Sequence, residues 1–471
     1  MAEREVRADR RMSDVEAMMW NIEKDPFLSS TFGSVTILDT VPEFDRFRRR
    51  LIRMAAKIPR LHQRVAPTLG RLAPPEWVDD PTFDIDYHVR RIALPSPGTI
   101  RELLDFATTF VQDPLDRTRP LWEFCIVEGV EGGRGALVQK MHHTITDGEG
   151  GIRMSEQFID LSRDPGPADD LGLDEPGLDI PPTVPTNLFD SATEALNHTV
   201  RRTLGVVNRS VGVAHDTLVH PSRLPGLGVD AAETARSAVR QLTVVDHAHA
   251  PLWRDRSLRR HFDSLAVPCA AARHAAKSLG GSLTDVFVCG AAGGAARYHA
   301  ARGSSVESFR IAMPVSTRHD NSSGGNSFAP TRVVVPAGVD DDPTERFTAT
   351  SAVLTQTKHE RAIGLVSAAA GVVNLLPTSV LVRFARQQVE AIDFTTSNLR
   401  AAPFEIYMGG ARVEGTYPLG PLAGTAFNLT MMSYAGTLNM GLHTDVGAVD
   451  DPTLLRTCLE EAFAELIAAG A

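Results

Sequence analysis

Cysteine is scarce: four in 471 residues, at positions 125, 269, 289 and 458, with no CxxC pair. That excludes a disulfide scaffold and a thiolate zinc site, and it suits reduced, mostly buried thiols in a cytosolic protein. Positive charge is also short. The 48 Lys and Arg stand against 58 Asp and Glu, a net −10, so a nucleic-acid binder with a basic face is not expected. No GxGxxG follows a strand, no P-loop occurs, and no repeat period is visible. Met1 to Met12 is charged and has no apolar core, so a secretion signal is not expected. Long apolar runs are nearly absent. Ala362 to Val382 carries no charge, but Asn374, Pro377 and Thr378 interrupt it. A helix pair broken near Pro377, buried or seated at a surface, is expected there rather than a bilayer span.

What is present is ordinary globular composition, 43% apolar and 23% charged, in a chain long enough for two domains. Its most informative stretch is His142-His143-Thr144-Ile145-Thr146-Asp147-Gly148. Gly135 to Met141 reads as a largely buried strand. Gly150 to Asp164 reads as a helix, with Met154, Phe158 and Leu161 on one face. The histidines therefore stand where a strand gives way to a turn. In extended backbone, neighbouring side chains point to opposite sides, so one imidazole faces a cavity and the other the protein body. His143 is the expected general base, since imidazole exchanges protons near neutral pH, and His142 its support. Gly148 would give the turn its backbone freedom, and Asp147 would hold the turn by a hydrogen bond or an arginine. A His-His pair satisfied by backbone carbonyls is the plain alternative. A metal site is disfavoured because adjacent histidines on a strand diverge, and none is expected.

Along the chain, residues 1–163 read as one α/β unit, 164–250 as a linker with bridging helices, and 251–471 as a second unit. Ser34 to Leu38 is an expected strand, and Phe44 to Ala56 a basic helix. Its arginines (46, 48, 49, 50 and 53) are either a solvated face or a coenzyme A phosphate site. Asp164 to Pro185 is acidic and rich in Pro and Gly, which marks a loop. Ser191 to His220 has helical character. The second unit contains helices near Cys269 to Leu279 and Asp285 to Ala301, strands near Arg310 to Pro314, Thr331 to Val335 and Gly436 to Leu442, and a terminal helix from Asp451 to Ala469. Gly290, Gly293 and Gly294 suggest close packing or approach to a substrate.

Ordered blocks on both sides of the histidines carry a family likeness. They are Trp77 to Pro81 with Phe83 to Arg90, Pro114-Leu115-Asp116-Arg117-Thr118-Arg119-Pro120-Leu121-Trp122-Glu123, Gly280 to Val286, and Pro314 to Arg318 with Gly325-Asn326. Ser397-Asn398, Tyr407 to Ala411 and Tyr417-Pro418 complete the set. Over nearly its whole length the chain resembles the bacterial wax ester synthase/acyl-CoA:diacylglycerol acyltransferase family. It departs in having Thr284-Asp285 for the family's Asn-Asp, and Leu399 to Pro403 where further prolines are expected. Those departures bear on substrate preference.

The resemblance implies two chloramphenicol-acetyltransferase-like α/β halves, with mixed sheets and an active-site tunnel between them. It implies transfer of a long acyl chain from acyl-CoA, as co-substrate and not a tightly bound cofactor, to diacylglycerol or a fatty alcohol. The expected location is cytoplasmic, with peripheral contact at the inner membrane or a lipid inclusion left open. Positioning would carry much of the acceleration. Asn398, with Ser397 or Thr396 beside it, is the candidate donor to the oxyanion; turn formation is the alternative. Asp285, in the Gly280 block, is a further candidate. Arg318 is the expected partner of Asp147 across the halves, and Leu121 and Trp122 are expected to shape the core or an acyl channel. A peptide-forming condensation domain, a polyketide- or glycolipid-directed acyltransferase and a weakly active lipid-binding paralogue are the alternatives.

Overall fold

The computed structural model describes residues 10–66, 74–164, 248–316, 328–338, 342–358 and 377–471. Two six-stranded mixed sheets carry the fold. In the first half, α1 (Asp14–Ile22) precedes β1 (Thr31–Leu38), α2 (Phe44–Lys57), β2 (Gln63–Ala66), β3 (Glu76–Asp79) and α3 (Ile85–His88). There follow β4 (Val89–Ala93), α4 (Ile100–Gln112), β5 (Trp122–Val130), β6 (Arg134–His142) and α5 (Gly148–Ser155). The second half runs β7 (Arg260–Pro268), α6 (Cys269–Ser278), α7 (Leu283–Ala301), β8 (Ser308–Ser316), β9 (Phe328–Pro336), α8 (Pro343–Lys358) and α9 (Thr378–Glu390). Then come β10 (Phe394–Arg400), β11 (Tyr407–Met408), β12 (Ala411–Leu419), β13 (Phe427–Tyr434), β14 (Thr437–Asp445) and α10 (Pro452–Ala469).

The first sheet has the order β11-β12-β1-β6-β5-β4 and the second β7-β14-β13-β10-β8-β9. Strands from late in the chain thus complete the first sheet, with β12 antiparallel to β1 from Gly33 opposite Leu419 to Leu38 opposite Val413. The helices start where the sequence supplies caps. Ser13 with Glu16, Thr99 with Glu102 and Ser282 with Asp285 each form a reciprocal capping box. Trp253 lies in the second core, where Phe394 and Phe427 stack at 4.5 Å between ring centroids. All four cysteines are free and buried.

Several expectations change. The helix expected to reach Asp164 ends at Ser155, because the Asp160 main chain leaves to pair with Tyr407 (N to O 2.7 Å). Phe158 is buried as expected, but Leu161 is 74% exposed. The basic helix α2 is not simply a solvated face. Arg46 and Arg50 are buried and turned to the carboxylate of Asp160, and Arg48 is paired with Asp86 at 2.6 Å. Gly290 and Gly294 in α7 press on Phe463 and Leu459 of α10, while Gly293 meets the guanidinium of Arg346; all three serve packing. The loop and helix expected within 165–247, and Ala362 to Leu376 of the uncharged stretch, lie outside the described residues. Pro377 does open a helix, α9. Among the described residues, no helix is long and apolar enough to cross a membrane.

Candidate active site

The site begins at the end of β6. His142 closes the strand opposite Thr31 of β1, and its main-chain N–H donates to Leu121 at 3.0 Å. The chain then turns. Asp147 is the N-cap of α5, accepting from the Gly150 N–H at 2.8 Å. A cap of this kind fixes the entry angle of the helix, so the carboxylate holds the turn that presents both histidines. Gly148 does not occupy the left-handed region. Its service is space: a Cβ there would stand 2.6 Å from the Leu399 side chain of β10. The strand-end turn of one half therefore touches a strand of the other through a missing side chain.

The two imidazoles have different surroundings. His142 is buried, and both of its ring nitrogens are engaged. The Nε2 edge meets the Glu23 carboxylate. The Nδ1 edge meets the Thr144 hydroxyl at 2.7 Å and the Thr144 N–H at 3.1 Å. A backbone N–H can only donate, so Nδ1 accepts and the proton sits on Nε2, facing the carboxylate. Glu23, just after α1, also accepts from Ser29 Oγ (2.7 Å) and the Ser30 N–H (3.1 Å). Arg117, from the Pro114–Glu123 block, lies 3.6 Å from it and 3.7 Å over the Trp20 ring centroid. Burial alone would raise the Glu23 carboxyl, but the hydrogen bond from His142, with Ser29 and the charge of Arg117, holds it below its ordinary value.

His143 keeps part of its surface accessible, and its ring lies 4.5 Å from that of Phe32. Its crowded surroundings push its pKa down to about 4, burial first and His142 next. Asp147, the Thr146 backbone and Glu23 oppose the shift. The ring is therefore neutral near pH 7, the state in which it can take a proton.

A cavity of 660 Å³ opens beside this network, between the halves. Its wall includes Trp20, Glu23, Leu121 and His142 from the first half, and Leu422 and His443 from the second. Models of two family domains match the chain: the wax ester synthase/diacylglycerol acyltransferase catalytic domain over residues 12–287, and the corresponding C-terminal domain over 324–467. The chain belongs to this wax ester synthase/diacylglycerol acyltransferase family. It is an acyltransferase. A Mycobacterium tuberculosis relative with a provisional diacylglycerol O-acyltransferase name is 34% identical over 469 residues, 97% of this chain and 92% of the relative. A second such relative from that organism is 29% identical over 482 residues, 98% of this chain and 97% of its own. Among solved structures, the wax ester synthase/diacylglycerol acyltransferase of Marinobacter aquaeolei VT8 superposes with a TM-score of 0.62 at 20% identity, covering 98% and 99% of the two chains. The starter condensation domain of rhizomide synthetase, solved with C8-CoA and Leu-SNAC, reaches 0.60 at 10% identity, covering 98% and 94%. These two likenesses establish the shared two-domain mixed α/β fold.

In this acyltransferase the other expected residues scatter. Leu121 lines the cavity, whereas Trp122 is wholly buried, stacked on His88 and donating from Nε1 to Leu61 O at 2.8 Å. Asp285 is the capping carboxylate of α7, bonded to Ser282. Ser397 and Asn398 lie on β10 just before Leu399, and Asn398 donates to Thr284 Oγ1 at 3.3 Å. Arg318 lies outside the described residues, and with it the expected pairing to Asp147. Among the described residues no cluster of His, Cys, Asp and Glu could hold a metal ion. Sequence reasoning missed Glu23. It stands 119 positions from His142, and the strand pairing of Thr31 with His142 brings its neighbourhood there.

Proposed function

We propose that the chain transfers a long acyl group from coenzyme A to the hydroxyl of diacylglycerol or a long-chain alcohol, with His143 as general base. The observation that carries this reading is the inequality of the two imidazoles. His142 has both nitrogens committed to Glu23 and Thr144, while His143 beside it is partly accessible and held neutral. The alcohol oxygen attacks the thioester carbonyl as His143 takes its proton. Collapse of the tetrahedral intermediate breaks the C–S bond, and the proton passes to the departing coenzyme A thiolate. The intermediate's oxyanion needs a donor, and Ser397 and Asn398 are the candidates because β10 abuts the turn at Gly148. Acyl-CoA serves as co-substrate, consistent with a solved fold relative holding C8-CoA.

The test is turnover of palmitoyl-CoA with hexadecanol or dioleoylglycerol, following thiol release and ester together. His143→Ala should lose roughly a hundredfold or more in kcat. Ester yield equal to wild type in that variant removes His143 as the base. Thiol release only with a sugar or polyketide alcohol moves the acceptor to another class.

A further inference from the structure

The strand β1 begins beside the two imidazoles, and its alternation sorts its first residues between them. In extended backbone, successive side chains point to opposite faces. Thr31 lies opposite His142 of β6, and its hydroxyl stands 3.4 Å from Glu23 Oε1, on the side of that pair. Phe32, the next residue, lies opposite Met141 and shares the other face with it. His143 continues the antiparallel pattern just past the end of β6, its N–H donating to Ser30 O at 3.1 Å. It therefore stands two residues beyond Met141 on the Phe32 side, a diagonal neighbour within reach of an aromatic ring. The two rings do meet, with centroids 4.5 Å apart and planes 36° from parallel. Phe32 is itself half-buried and packs against the core of the first half.

We propose that Phe32 is a positioning residue: its ring covers one face of His143, holds the imidazole plane and keeps water off it, so that a lipid alcohol is activated and water is not. This rests on His143 being the base, as proposed above. The chemistry supplies the need. Water and alcohols have similar acidity, so a neutral imidazole beside an acyl thioester can deprotonate either. With water, the oxygen attacks the thioester carbonyl and the C–S bond breaks. The proton passes through His143 to the thiolate, and the products are free fatty acid and coenzyme A. Enzymes suppress such hydrolysis by expelling water from the site. A phenyl group offers water no hydrogen bond of ordinary strength, so a water molecule against that face of the imidazole is poorly held. Burial as the largest cause of the lowered His143 pKa agrees with a ring that water reaches poorly.

The test follows thiol release and ester together, with palmitoyl-CoA and hexadecanol, in Phe32→Leu, Phe32→Val and Phe32→Ala, each with its thermal midpoint. Wild type should give thiol and ester in step. Phe32→Ala should lose roughly ten- to a hundredfold in kcat for ester, the effect of a misplaced base. Its ratio of thiol to ester should rise on the order of tenfold as water becomes an acceptor. Its kcat/KM for thiol release should also gain an acid limb moving from about 4 towards 6.5, because water readmitted to the ring restores its ordinary affinity for a proton. The titratable groups acting on His143 are His142, Asp147 and Glu23, and none is altered. Phe32→Leu refills the space with apolar atoms and should keep thiol and ester in step with no limb near 6.5. Phe32→Val removes less volume and should show a raised ratio even where Phe32→Ala does not fold. A lowered thermal midpoint with thiol and ester still in step in Phe32→Val and Phe32→Ala overturns this proposal alone, leaving Phe32 a packing residue. Wild-type ester yield in His143→Ala overturns the base and this proposal with it.

Discussion

His142 and His143 are adjacent in sequence and opposite in circumstance, and that contrast sets the expected pH dependence. In the unfolded chain an imidazole takes a proton near 6.5, whereas folded His143 does so near about 4. Its basic form therefore persists down to about pH 5, and kcat/KM should show no acid limb near 6.5 from this group. The check is the profile of kcat/KM between pH 5 and 8. A limb near 6.5 that disappears in His143→Gln would refute the assignment of a depressed base. The motif was legible from the sequence because strand end, turn and helix cap are local: the Asp147 carboxylate caps α5 at Gly150, three residues on. Glu23 was not legible. A carboxylate just after an amphipathic helix looks like any solvated residue, and its partner comes from tertiary structure alone. Gly148 was read for the wrong reason, as a flexible turn residue, because a close approach from another domain leaves no local mark.

At the scale of elements, that close approach is a joint between α5 and β10. A methyl group on Gly148 would stand 2.6 Å from Leu399 Cδ2, well inside normal contact. Gly148→Ala should destabilise the protein by about 1–3 kcal/mol and lower kcat, because the turn carrying His143 must shift. Leu399→Ala should relieve the overlap, so the double variant should recover activity and thermal midpoint relative to Gly148→Ala alone. Additive losses in the double variant would show that the two do not share one contact. The strands β1, β6, β8, β9 and β14 were legible as apolar runs, and α2, α6, α7 and α10 as helices. The C-terminal end of α5 was not, since Met154 and Phe158 keep a helical apolar spacing while Asp160 is drawn into a bridge with Tyr407. The arginines of α2 likewise read as solvent-facing until Asp160 is placed beside them.

Across the whole molecule, histidines held neutral in the interior link stability to pH. His88 and His143 are lowered to about 4 and His443 to about 3, burial being the largest cause in each. Each binds a proton in the unfolded chain near 6.5 but resists it when folded. Stability should therefore fall as pH drops from about 6.5 towards 4. Glu23 and Asp25, with ordinary values of 4.5 and 3.8, are held lower in the fold and add their loss only below that window. Denaturant midpoints at pH 7, 6 and 5 check this, and an unchanged midpoint over that range refutes it. The halves themselves are not separable along the chain. β12 covers one edge of β1, Arg386 of α9 binds Asp25 (Nη2 to Oδ1 2.8 Å), and Arg101 of α4 binds Asp263 of β7 at 2.9 Å. A fragment of residues 1–163 loses all three and leaves β1 with a bare, apolar edge, a site for aggregation. Expressed alone it should precipitate, and co-expressed with 164–471 it should co-purify as a folded pair. A soluble 1–163 fragment with its own cooperative unfolding transition would mean that the first sheet does not need the strands borrowed from the second half.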